Sequence, residues 1–295
     1  MSVALRLPTM DDAPAIRGLL REWALESIGE EGVSEEEIRS WFGLPDIWMR
    51  VAERDGRLVG YVDAASAEGS YVNVDVRSLD PDVADALVAA ATQAPRPADT
   101  VALRGFVQGG AAVPSRAFNA AGWELIRHGY QMRIQLTDDI PEPAWPDGFR
   151  PRNYQRGEEQ CVYEANQEAF ADAWGFHRQE KERWRAFTVD HHDFDPSLWW
   201  LIDDGDEIAA FTLNFWHFSG DKTFGWVGIL GTRPRWRRLG LATALLLHSF
   251  HDFARRGATR VGLGVDAENT TGAVKLYESA GMIVERRNDT YELKL

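Results

Sequence analysis

The stretch TFGWVGILGTRPRWRRLGLAT, residues 223–243, decides how the rest of the chain is interpreted. Its first half, Phe224–Leu230, is short, apolar and interrupted by glycine, which predicts a buried strand. From Leu241 onward the apolar residues recur at helical spacing, which predicts a helix. The segment between them is rich in arginine and ends at Gly240. The sequence therefore predicts a strand that turns through a basic loop into a helix.

This loop is suited to bind a phosphate. The first N–H groups of a helix have no partner within the helix and carry the positive end of its dipole. Gly240 and Ala242 leave room for an anion near the backbone, and arginines stand at positions 233, 235, 237 and 238. In a chain with a formal net charge of −14, this concentration of positive charge is unusual. A solvated turn before a helix is the alternative that the stretch alone leaves open.

The pattern Arg-x-x-Gly-x-Ala at Arg237–Ala242 resembles the coenzyme A pyrophosphate loop of the GNAT superfamily of N-acetyltransferases. A second segment strengthens the resemblance. Val261–Val265 predicts another strand, and Asn269, Leu276-Tyr277 and Gly281 follow it in a run similar to the second coenzyme-binding segment of the family. The resemblance implies an α/β fold with a mixed, splayed central sheet flanked by helices, and it implies acetyl-CoA as the co-substrate.

The resemblance also implies which residues bind the coenzyme: Leu230, Gly231, Thr232, Arg237, Arg238, Leu239, Gly240, Leu241, Ala242, Thr243, Asn269 and Tyr277. In the family, the pantetheine arm lies against the end of the first strand, whose N–H groups can also hold the thioester oxygen. Gly228 and Gly231 are compatible with a bulge there or with close packing. Asn269, Ala273 and Tyr277 follow an i, i+4, i+8 spacing and are expected on one helix face. The family role of Tyr277 is to protonate the departing thiolate.

A general base is harder to assign. The strand Phe224–Leu230 contains no acid, although some family members use a glutamate there. The candidates elsewhere in the second half are Asp266, Glu268, His217, Asp172 and His177. Asp266 is the first choice because it closes the second strand beside the coenzyme-binding segment. Tyr277 and Asp266 are therefore the predicted catalytic residues, with a water-mediated relay as the alternative.

Composition narrows the classes of partner. With 46 acidic against 32 basic residues, the chain is a poor match for nucleic acid and favours a cationic small molecule. The chain has no apolar run of membrane-spanning length, and its start lacks the features of a signal peptide, so we expect a cytoplasmic protein without a membrane partner. A single cysteine, Cys161, excludes an internal disulfide and a cysteine-rich metal site. His191-His192-Asp193 is interpreted as a solvated loop, so no metal is expected. A monomer or a homodimer fits equally well.

The chain is interpreted as two copies of one unit. Asp55-Gly56 and Asp204-Gly205 each separate two alternating apolar runs, which predicts two hairpins. Ala120–Trp123 is also similar to Ala280–Met282. Between the copies, Thr137–Gly148 contains three prolines and four acids, which discourage helix and strand. The predicted domains are a degenerate GNAT-like domain without a cofactor loop at 1–138, a linker at 139–148 and a catalytic GNAT domain at 149–295, a tandem arrangement that also occurs in the superfamily.

The first copy lacks the features expected to bind the coenzyme. When Ala84–Leu87 is laid over Ala242–Leu245, Leu79-Asp80-Pro81-Asp82 replaces Arg237–Gly240. Two carboxylates repel a pyrophosphate, and the proline removes an N–H group. Phe118 falls where the second copy has Tyr277. We therefore expect only the second copy to bind acetyl-CoA.

The first copy also contains an acidic segment, Glu30–Phe42, that predicts a helix. Ser34 and Glu37 are spaced as a capping box within it.

These features predict an acetyl-CoA-dependent N-acetyltransferase that transfers an acetyl group to a primary amine of a small molecule by direct attack in a ternary complex. A narrower alternative is an activity like that of mycothiol synthase, a tandem member of the superfamily that acts on a cysteinyl amino sugar. A third alternative is a regulatory protein that binds coenzyme A without turnover. No Gly-Lys-Ser/Thr follows the loop, which argues against an ATP-type phosphate loop.

Overall fold

The computed structural model describes residues 3–29, 32–44, 47–67, 70–191, 194–216 and 221–295. It divides into two compact units. Unit 1 comprises Met1–Tyr130 and Arg286–Leu295, and unit 2 comprises Gln131–Glu285. Each unit is an arrangement of helices around a mixed sheet, so the predicted fold class is confirmed.

Unit 1 is built from strands β1 to β5 and helices α1 to α4. In chain order these are β1 (Ala4–Arg6), α1 (Ala13–Ile28), α2 (Glu35–Trp41), β2 (Ile47–Arg54), β3 (Arg57–Ala67), β4 (Tyr71–Arg77), α3 (Pro81–Thr92), β5 (Ala102–Val107) and α4 (Ala112–Ala120). β6 (Glu124–Gln135) begins in this unit, and β12 (Ile283–Lys294) ends in it. The strand order is β1-β2-β3-β4-β5-β12. β4 and β5 pair in parallel, whereas the other neighbours in this order pair antiparallel, so the sheet is mixed.

Two apolar clusters fix the helices of unit 1 to its sheet. Side chains alternate between the faces of a strand. Tyr61 accordingly packs in a cluster with α1 and α2, whereas its neighbour Val62 packs in a cluster with α3. Ser34 Oγ accepts a hydrogen bond from the N–H of Glu37 (3.1 Å) and caps α2, as its position three residues before a glutamate predicts. Glu30, the first residue of the predicted acidic helix, lies outside the described residues.

Unit 2 repeats the order of unit 1. Its elements are β7 (Pro151–Asn153), α5 (Glu159–Ala169), α6 (Lys181–Ala186), β8 (Trp199–Asp204), β9 (Glu207–Trp216), β10 (Phe224–Thr232), α7 (Leu241–Arg255), β11 (Arg260–Asp266) and α8 (Ala273–Ser279). The strand order is β6-β11-β10-β9-β8-β7. β10 and β11 are parallel, whereas the pairs β7–β8, β8–β9 and β9–β10 are antiparallel. The predicted strand at 224–230 and the predicted helix from Leu241 are therefore both present.

Local turn chemistry is the same in both units. Both predicted hairpins are present, and Gly56 and Gly205 adopt the left-handed φ values of +75° and +63° that their turns require. Helices α4 and α8 also end alike. Trp123 N–H donates to the carbonyl of Phe118, and Met282 N–H donates to the carbonyl of Tyr277, both at 3.0 Å. This shared cap makes Phe118 and Tyr277 equivalent positions, as the sequence predicts.

The end of the chain differs from the division expected from the sequence. Residues 286–295, which the sequence assigns to the second copy, lie in unit 1 because β12 pairs antiparallel with β5. Arg104 Nε of β5 contacts Glu292 Oε2 at 3.0 Å across this pair. The segment 139–148 lies in unit 2, where Trp145 packs on an apolar cluster with Ile202 and Leu245. Along the described stretches of the chain, no helix is both long and apolar enough to cross a bilayer.

Candidate active site

The end of β10 carries the irregularity expected of this strand. Its register with β9 shifts between Val227 and Ile229, which places Gly228 at a bulge. A Cβ at Gly228 would lie 2.6 Å from the Phe215 ring, so close packing requires glycine at the same position. At Gly231 a Cβ would lie 2.4 Å from the Phe211 ring. Gly228 therefore lies at the bulge and is also required for close packing. Gly231 is required for close packing.

Beyond the bulge, β10 and β11 diverge. Their parallel ladder covers Phe224–Trp226 and Arg260–Gly262, and the two strands form no further pair among the described residues. Arg233 N–H donates to the carbonyl of Ala209 on β9 at 3.1 Å. Because backbone groups alternate along a strand, the N–H groups of Leu230 and Thr232 face away from β9, toward the side that β11 has left. An extended ligand with amide groups can pair with this strand edge as another strand would.

The loop after β10 is anchored to the body of unit 2. Trp236 is buried, and its Nε1 donates to Asp204 Oδ2 at 2.7 Å. Arg237 extends back to the end of α5, where its guanidinium contacts Asp172 Oδ2 at 2.6 Å and donates to the carbonyl of Ala169 at 3.0 Å. Its Nε also donates to the carbonyl of Thr232. These contacts fix the loop just before the start of the helix at Leu241.

The backbone between these anchors and α7 forms a concave row of donors. Arg238 and Gly240 have left-handed φ values of +65° and +86°, on either side of Leu239. Gly240 is the N-cap of α7 and has no side chain with which to cap the helix. Within the described chain, the N–H groups of residues 238–243 have no hydrogen-bond acceptor. Successive N–H groups in such a turn at a helix start form an anion-binding concavity.

Fewer arginines offer a free positive charge at this concavity than the sequence indicated. Three of the four arginines are ion-paired: Arg233 with Glu168 (2.6 Å), Arg235 with Glu207 (3.1 Å) and Arg237 with Asp172 (2.6 Å). Arg238 is exposed, and its guanidinium has no partner among the residues that the structure describes. The expectation that all four arginines contribute free charge is therefore wrong for Arg233, Arg235 and Arg237, and only Arg238 has an unpaired guanidinium among the four.

This difference predicts different effects for substitution of two neighbouring arginines, Arg238 and Arg237. Arg238→Ala removes an unpaired charge, so we expect affinity for coenzyme A to fall about 10- to 100-fold with little change in melting temperature, since a charged hydrogen bond is worth about 1.5–3 kcal/mol. Arg237→Ala leaves Asp172 and the carbonyl of Thr232 without their partner, so we expect a lower melting temperature. Calorimetric titration and thermal unfolding measure both effects. The matched control is Arg235→Ala, which removes an exposed pair; equal loss of affinity in all three variants contradicts the assignment to Arg238.

The second coenzyme-binding segment differs from its predicted geometry. Asn269 lies before α8, which begins only at Ala273 after Gly272 at a φ of +86°. The prediction that Asn269 shares one helix face with Ala273 and Tyr277 is therefore wrong for Asn269. Its Oδ1 instead accepts from the N–H of Thr271 (2.9 Å) and the N–H of Ala273 (3.3 Å), so it caps the turn. Its Nδ2 donates to no described residue.

Tyr277 lies on the face of α8 that packs into unit 2. Its side chain is 8% exposed, and its hydroxyl forms no hydrogen bond with a described residue. Burial raises the pKa of Tyr277 to about 12. The phenol therefore carries its proton at neutral pH, as a general acid must. At the equivalent position in unit 1, Phe118 is fully buried and stacks on Tyr291 with ring centroids 5.6 Å apart.

The base candidates occupy different surroundings. Asp266 ends β11 and accepts a hydrogen bond from the N–H of Glu268 at 3.1 Å, and Glu268 itself is exposed. Asp172 is bound by Arg237, which lowers the pKa of its carboxyl and makes it a weak base. His177 is exposed, and His217 lies outside the described residues, as do His192 and Asp193. Asp266 and Glu268 are thus the two candidates that directly precede Asn269 in the chain, and Asp266 is the one that ends β11.

The other predicted coenzyme-binding residues at 230–232 and 239–243 differ in their exposure. Leu239 is 47% exposed, whereas Leu241 is buried and fixes the first turn of α7. The hydroxyl of Thr232 is enclosed without a partner among the described residues. Ala242 and Thr243 follow in the first turn of α7 with partly exposed side chains. β10, the loop and the start of α7 therefore bring the predicted residues at 230–232 and 237–243 together in unit 2.

Comparison with known proteins decides the family. Residues 160–282 match the model of the acetyltransferase (GNAT) family. The mycothiol acetyltransferase of Geodermatophilus obscurus is 31% identical over 287 residues, which cover 90% of this chain and 89% of that protein. The chain belongs to the GNAT family of acetyltransferases. The mycothiol acetyltransferase of Thermobispora bispora is 32% identical over 183 residues, and this match covers 57% of this chain and only 59% of that protein.

Solved structures of GNAT proteins share the fold over the whole chain. A GCN5-related N-acetyltransferase from Sphaerobacter thermophilus has a TM-score of 0.81 and 28% identity, and the alignment covers 99% of this chain and 95% of that one. A tandem GNAT protein from the clavulanic acid biosynthesis pathway has a TM-score of 0.76 at 16% identity and covers 99% and 98% of the two chains. The predicted resemblance to a tandem GNAT protein is thereby confirmed.

No pattern in the sequence marks the residues that hold the loop after β10 in place. Asp172 and Asp204 bind the loop from 65 and 32 residues away in the chain. A cleft of about 380 Å³ beside α5 was also missed; Glu164, Glu168, Phe176, Arg178 and Arg233 are among its lining residues. The only signal in the sequence is the acidic pair Glu164 and Glu168 at i, i+4, a spacing that is also typical of a solvated helix face.

Proposed function

We propose that this chain is an acetyl-CoA-dependent N-acetyltransferase that transfers an acetyl group to the primary amine of a small molecule by direct attack in a ternary complex. One observation carries the proposal: the unpartnered N–H groups of residues 238–243 around two left-handed residues at the start of α7. The oxygen atoms of linked phosphates can accept hydrogen bonds from such a row of N–H donors. Membership of the GNAT family supports the same ligand.

The residues of unit 2 suit each part of the coenzyme. When bound, acetyl-CoA supplies an acyl group activated as a thioester. The N–H groups of residues 238–243 and the Arg238 guanidinium would hold the pyrophosphate. The N–H groups of Leu230 and Thr232 face the gap beside β10 and would bind the pantetheine amides and the thioester oxygen. Nδ2 of Asn269 remains available to a pantetheine carbonyl.

Two proton transfers complete the proposed mechanism. A simple primary amine has a pKa of about 10.4, so it is mostly protonated at neutral pH and must lose a proton before it attacks. We assign this step to Asp266, directly or through water, and the protonation of the departing thiolate to Tyr277. If Asp266 is the base, Asp266→Asn lowers kcat about 10²- to 10⁴-fold, the usual contribution of a positioned general base. An unchanged kcat assigns the base elsewhere.

The proposed acceptor is a small cationic amine. The formal net charge of −14 favours the encounter with a cation. A narrower candidate is a cysteinyl amino sugar. It is favoured by the relatives that bear the name mycothiol acetyltransferase, one of which aligns with 90% of this chain.

Release of free thiol from acetyl-CoA over a panel of amines tests this proposal. We expect turnover with at least one primary amine and none with its N-acetylated form. Faster turnover with a cysteinyl amino sugar than with simple amines selects the narrower candidate. Coenzyme A binding without thiol release for every amine contradicts the enzymatic proposal and leaves a coenzyme-binding regulatory protein.

A further inference from the structure

A chain of buried polar side chains joins β9 to α7 in unit 2. Thr212 Oγ1 donates to Asn214 Oδ1 at 2.7 Å, and Asn214 Nδ2 donates to Ser249 Oγ at 3.0 Å. The Ser249 hydroxyl in turn donates to the carbonyl of Leu245 at 2.8 Å. Thr212 and Ser249 are 0% exposed, and Asn214 is 1% exposed. Because a buried network in which every side chain has a partner rigidifies its surroundings, this polar network holds β9 and α7 in one relative arrangement.

The polar network spans the bulge of β10. Asn214 lies opposite Val227 before the register shift, and Thr212 lies opposite Leu230 after it. The hydrogen bond from Thr212 to Asn214 therefore joins the β9 residues on the two sides of the bulge. Its continuation to Ser249 connects the same pair of strands to α7, whose first N–H groups form the proposed anion site. The network thus links the two parts of unit 2 that we assign to the coenzyme.

Unit 1 has apolar side chains at the equivalent positions. Both hairpins shift register after the second pair from the turn, so the residues of β3 and β9 can be matched one by one. The alignment of Ala84 with Ala242 matches α3 with α7 in the same way. By these matches, the three residues of the polar network correspond, in order, to Val62, Ala64 and Ala91. All three are buried in the apolar cluster that joins β3 to α3.

Unit 1 also lacks the features that the network links in unit 2. The ladder between β3 and β4 shows no register shift among its described pairs. The start of α3 is closed to an anion, because Asp80 Oδ1 itself accepts from the N–H groups of Asp82 (2.9 Å) and Val83 (3.2 Å). The polar network therefore occurs in the unit that has the bulge and the uncapped helix start, and the other unit has apolar residues in its place.

Stability alone does not account for the network. Replacement of buried polar partners by apolar side chains of similar shape is often nearly neutral for stability. Unit 1 packs a helix on the same part of its sheet with apolar residues at these positions. Hydrogen bonds restrict distance and angle, whereas apolar contacts are non-directional. The network therefore restricts how β9 and α7 can move relative to each other in a way that apolar packing does not.

We propose that Thr212, Asn214 and Ser249 are positioning residues for the coenzyme. They hold the end of β10 and the start of α7 at the separation at which one acetyl-CoA molecule can bind both. This inference rests on the proposed function of unit 2. A ligand that binds at two places loses affinity when their separation changes, even though each place remains intact. Loss of the network should therefore weaken coenzyme binding without unfolding the chain.

The double variant Thr212→Val/Asn214→Leu tests this role on the full chain. It replaces one donor and its acceptor by apolar side chains of similar shape and leaves Ser249 bonded to Leu245. We expect its melting temperature to stay within about 3 °C of that of the unmodified chain. We expect its affinity for coenzyme A to fall about tenfold or more, because the site is no longer held in the productive geometry. Thermal unfolding and calorimetric titration measure the two quantities.

Two further variants separate positioning from general packing. Thr212→Ser keeps the hydroxyl and removes only a methyl group, so we expect a lower melting temperature but an affinity for coenzyme A within about twofold of the unmodified chain. Thr188→Val is the matched control. Thr188 is 4% exposed, and its hydroxyl donates to the carbonyl of Trp184 at 2.6 Å, a partner outside β9, β10 and α7. We expect this control to bind coenzyme A as the unmodified chain does.

The proposal is overturned if the double variant binds coenzyme A as tightly as the unmodified chain. It is also overturned if Thr212→Ser or Thr188→Val loses as much affinity as the double variant, or if the double variant does not fold, since the network then serves stability. An unmodified chain that binds no coenzyme A contradicts the proposed function itself. Normal binding by the double variant contradicts only the positioning role, so the two failures are distinct.

Discussion

Replacing Tyr277 with phenylalanine is expected to lower kcat about 10²- to 10⁴-fold, the usual contribution of a positioned general acid. The substitution keeps the buried ring of α8 and removes only the proton donor, so we expect the KM for acetyl-CoA to change little. Because burial raises the pKa of Tyr277 to about 12, the phenol stays protonated over the working range of the enzyme. The unmodified chain should therefore show no loss of kcat from this group up to about pH 10. Steady-state kinetics with a competent amine measure both effects.

The matched control for this prediction is Tyr291→Phe. Tyr291 is buried to a similar degree in unit 1, at 4% exposed against 8% for Tyr277, and stacks on Phe118. We expect it to change stability rather than kcat. Turnover by Tyr277→Phe at the rate of the unmodified chain would remove the acid role from Tyr277.

Gly240→Asp is expected to weaken coenzyme A binding by more than about 100-fold. The carboxylate would stand beside the unpartnered N–H groups that we assign to the pyrophosphate. Two unit charges about 5 Å apart repel by roughly 3 kcal/mol at an effective dielectric constant of about 20, and each 1.4 kcal/mol is about tenfold in affinity. The space around Gly240 is open, because a Cβ at this position would meet no atom within 4 Å, so the side chain can be accommodated. Calorimetric titration with coenzyme A measures the loss.

Two controls separate charge from backbone strain. Gly240→Asn has nearly the same size without the charge, and asparagine tolerates left-handed φ better than most residues. Gly257→Asp places the same side chain just beyond the other end of α7, at a φ of +92°. We expect both controls to bind coenzyme A within about tenfold of the unmodified chain. Comparable losses in all three variants would show that strain, and not the anion site, explains the effect.

Features set by neighbouring residues could be predicted from the sequence. The hairpins at Asp55-Gly56 and Asp204-Gly205 depend on turn residues that accept positive φ, and those residues mark the turns directly. The strand-loop-helix at 223–243 likewise follows from apolar spacing and from Gly240 at the helix start. The comparison of the two copies also predicted that Phe118 and Tyr277 are equivalent positions, because the ends of α4 and α8 share one local pattern.

Features set by distant contacts could not be predicted. Nothing near Arg237 indicates that its guanidinium pairs with Asp172, 65 residues away, while Arg238 stays free. The spacing of Asn269 predicts a place on a helix, but the left-handed Gly272 delays the helix to Ala273. The last strand pairs with β5, more than 180 residues earlier, which no local pattern encodes. Contacts of this kind depend on the folded arrangement rather than on neighbouring residues.

The two units differ at the start of the helix that follows the central parallel strand, where we expect the coenzyme to bind in unit 2. In unit 1, α3 begins at Pro81, and the carboxylate of Asp80 caps its first N–H groups while Arg54 contacts that carboxylate at 2.6 Å. The parallel ladder of β4 and β5 spans five residue pairs, against three between β10 and β11. Because Asp80 caps α3, its first N–H groups are not available to an anion. Because the ladder between β4 and β5 is longer, the gap between these strands is smaller than the gap between β10 and β11. We therefore expect acetyl-CoA to bind in unit 2 alone.

A crystal structure of the full chain with coenzyme A tests this claim most directly. It should show the pyrophosphate accepting hydrogen bonds from the N–H groups of residues 238–243, with the pantetheine arm beside Leu230–Thr232 and nothing bound at the start of α3. A pyrophosphate at the start of α3, or anywhere other than the start of α7, would contradict it.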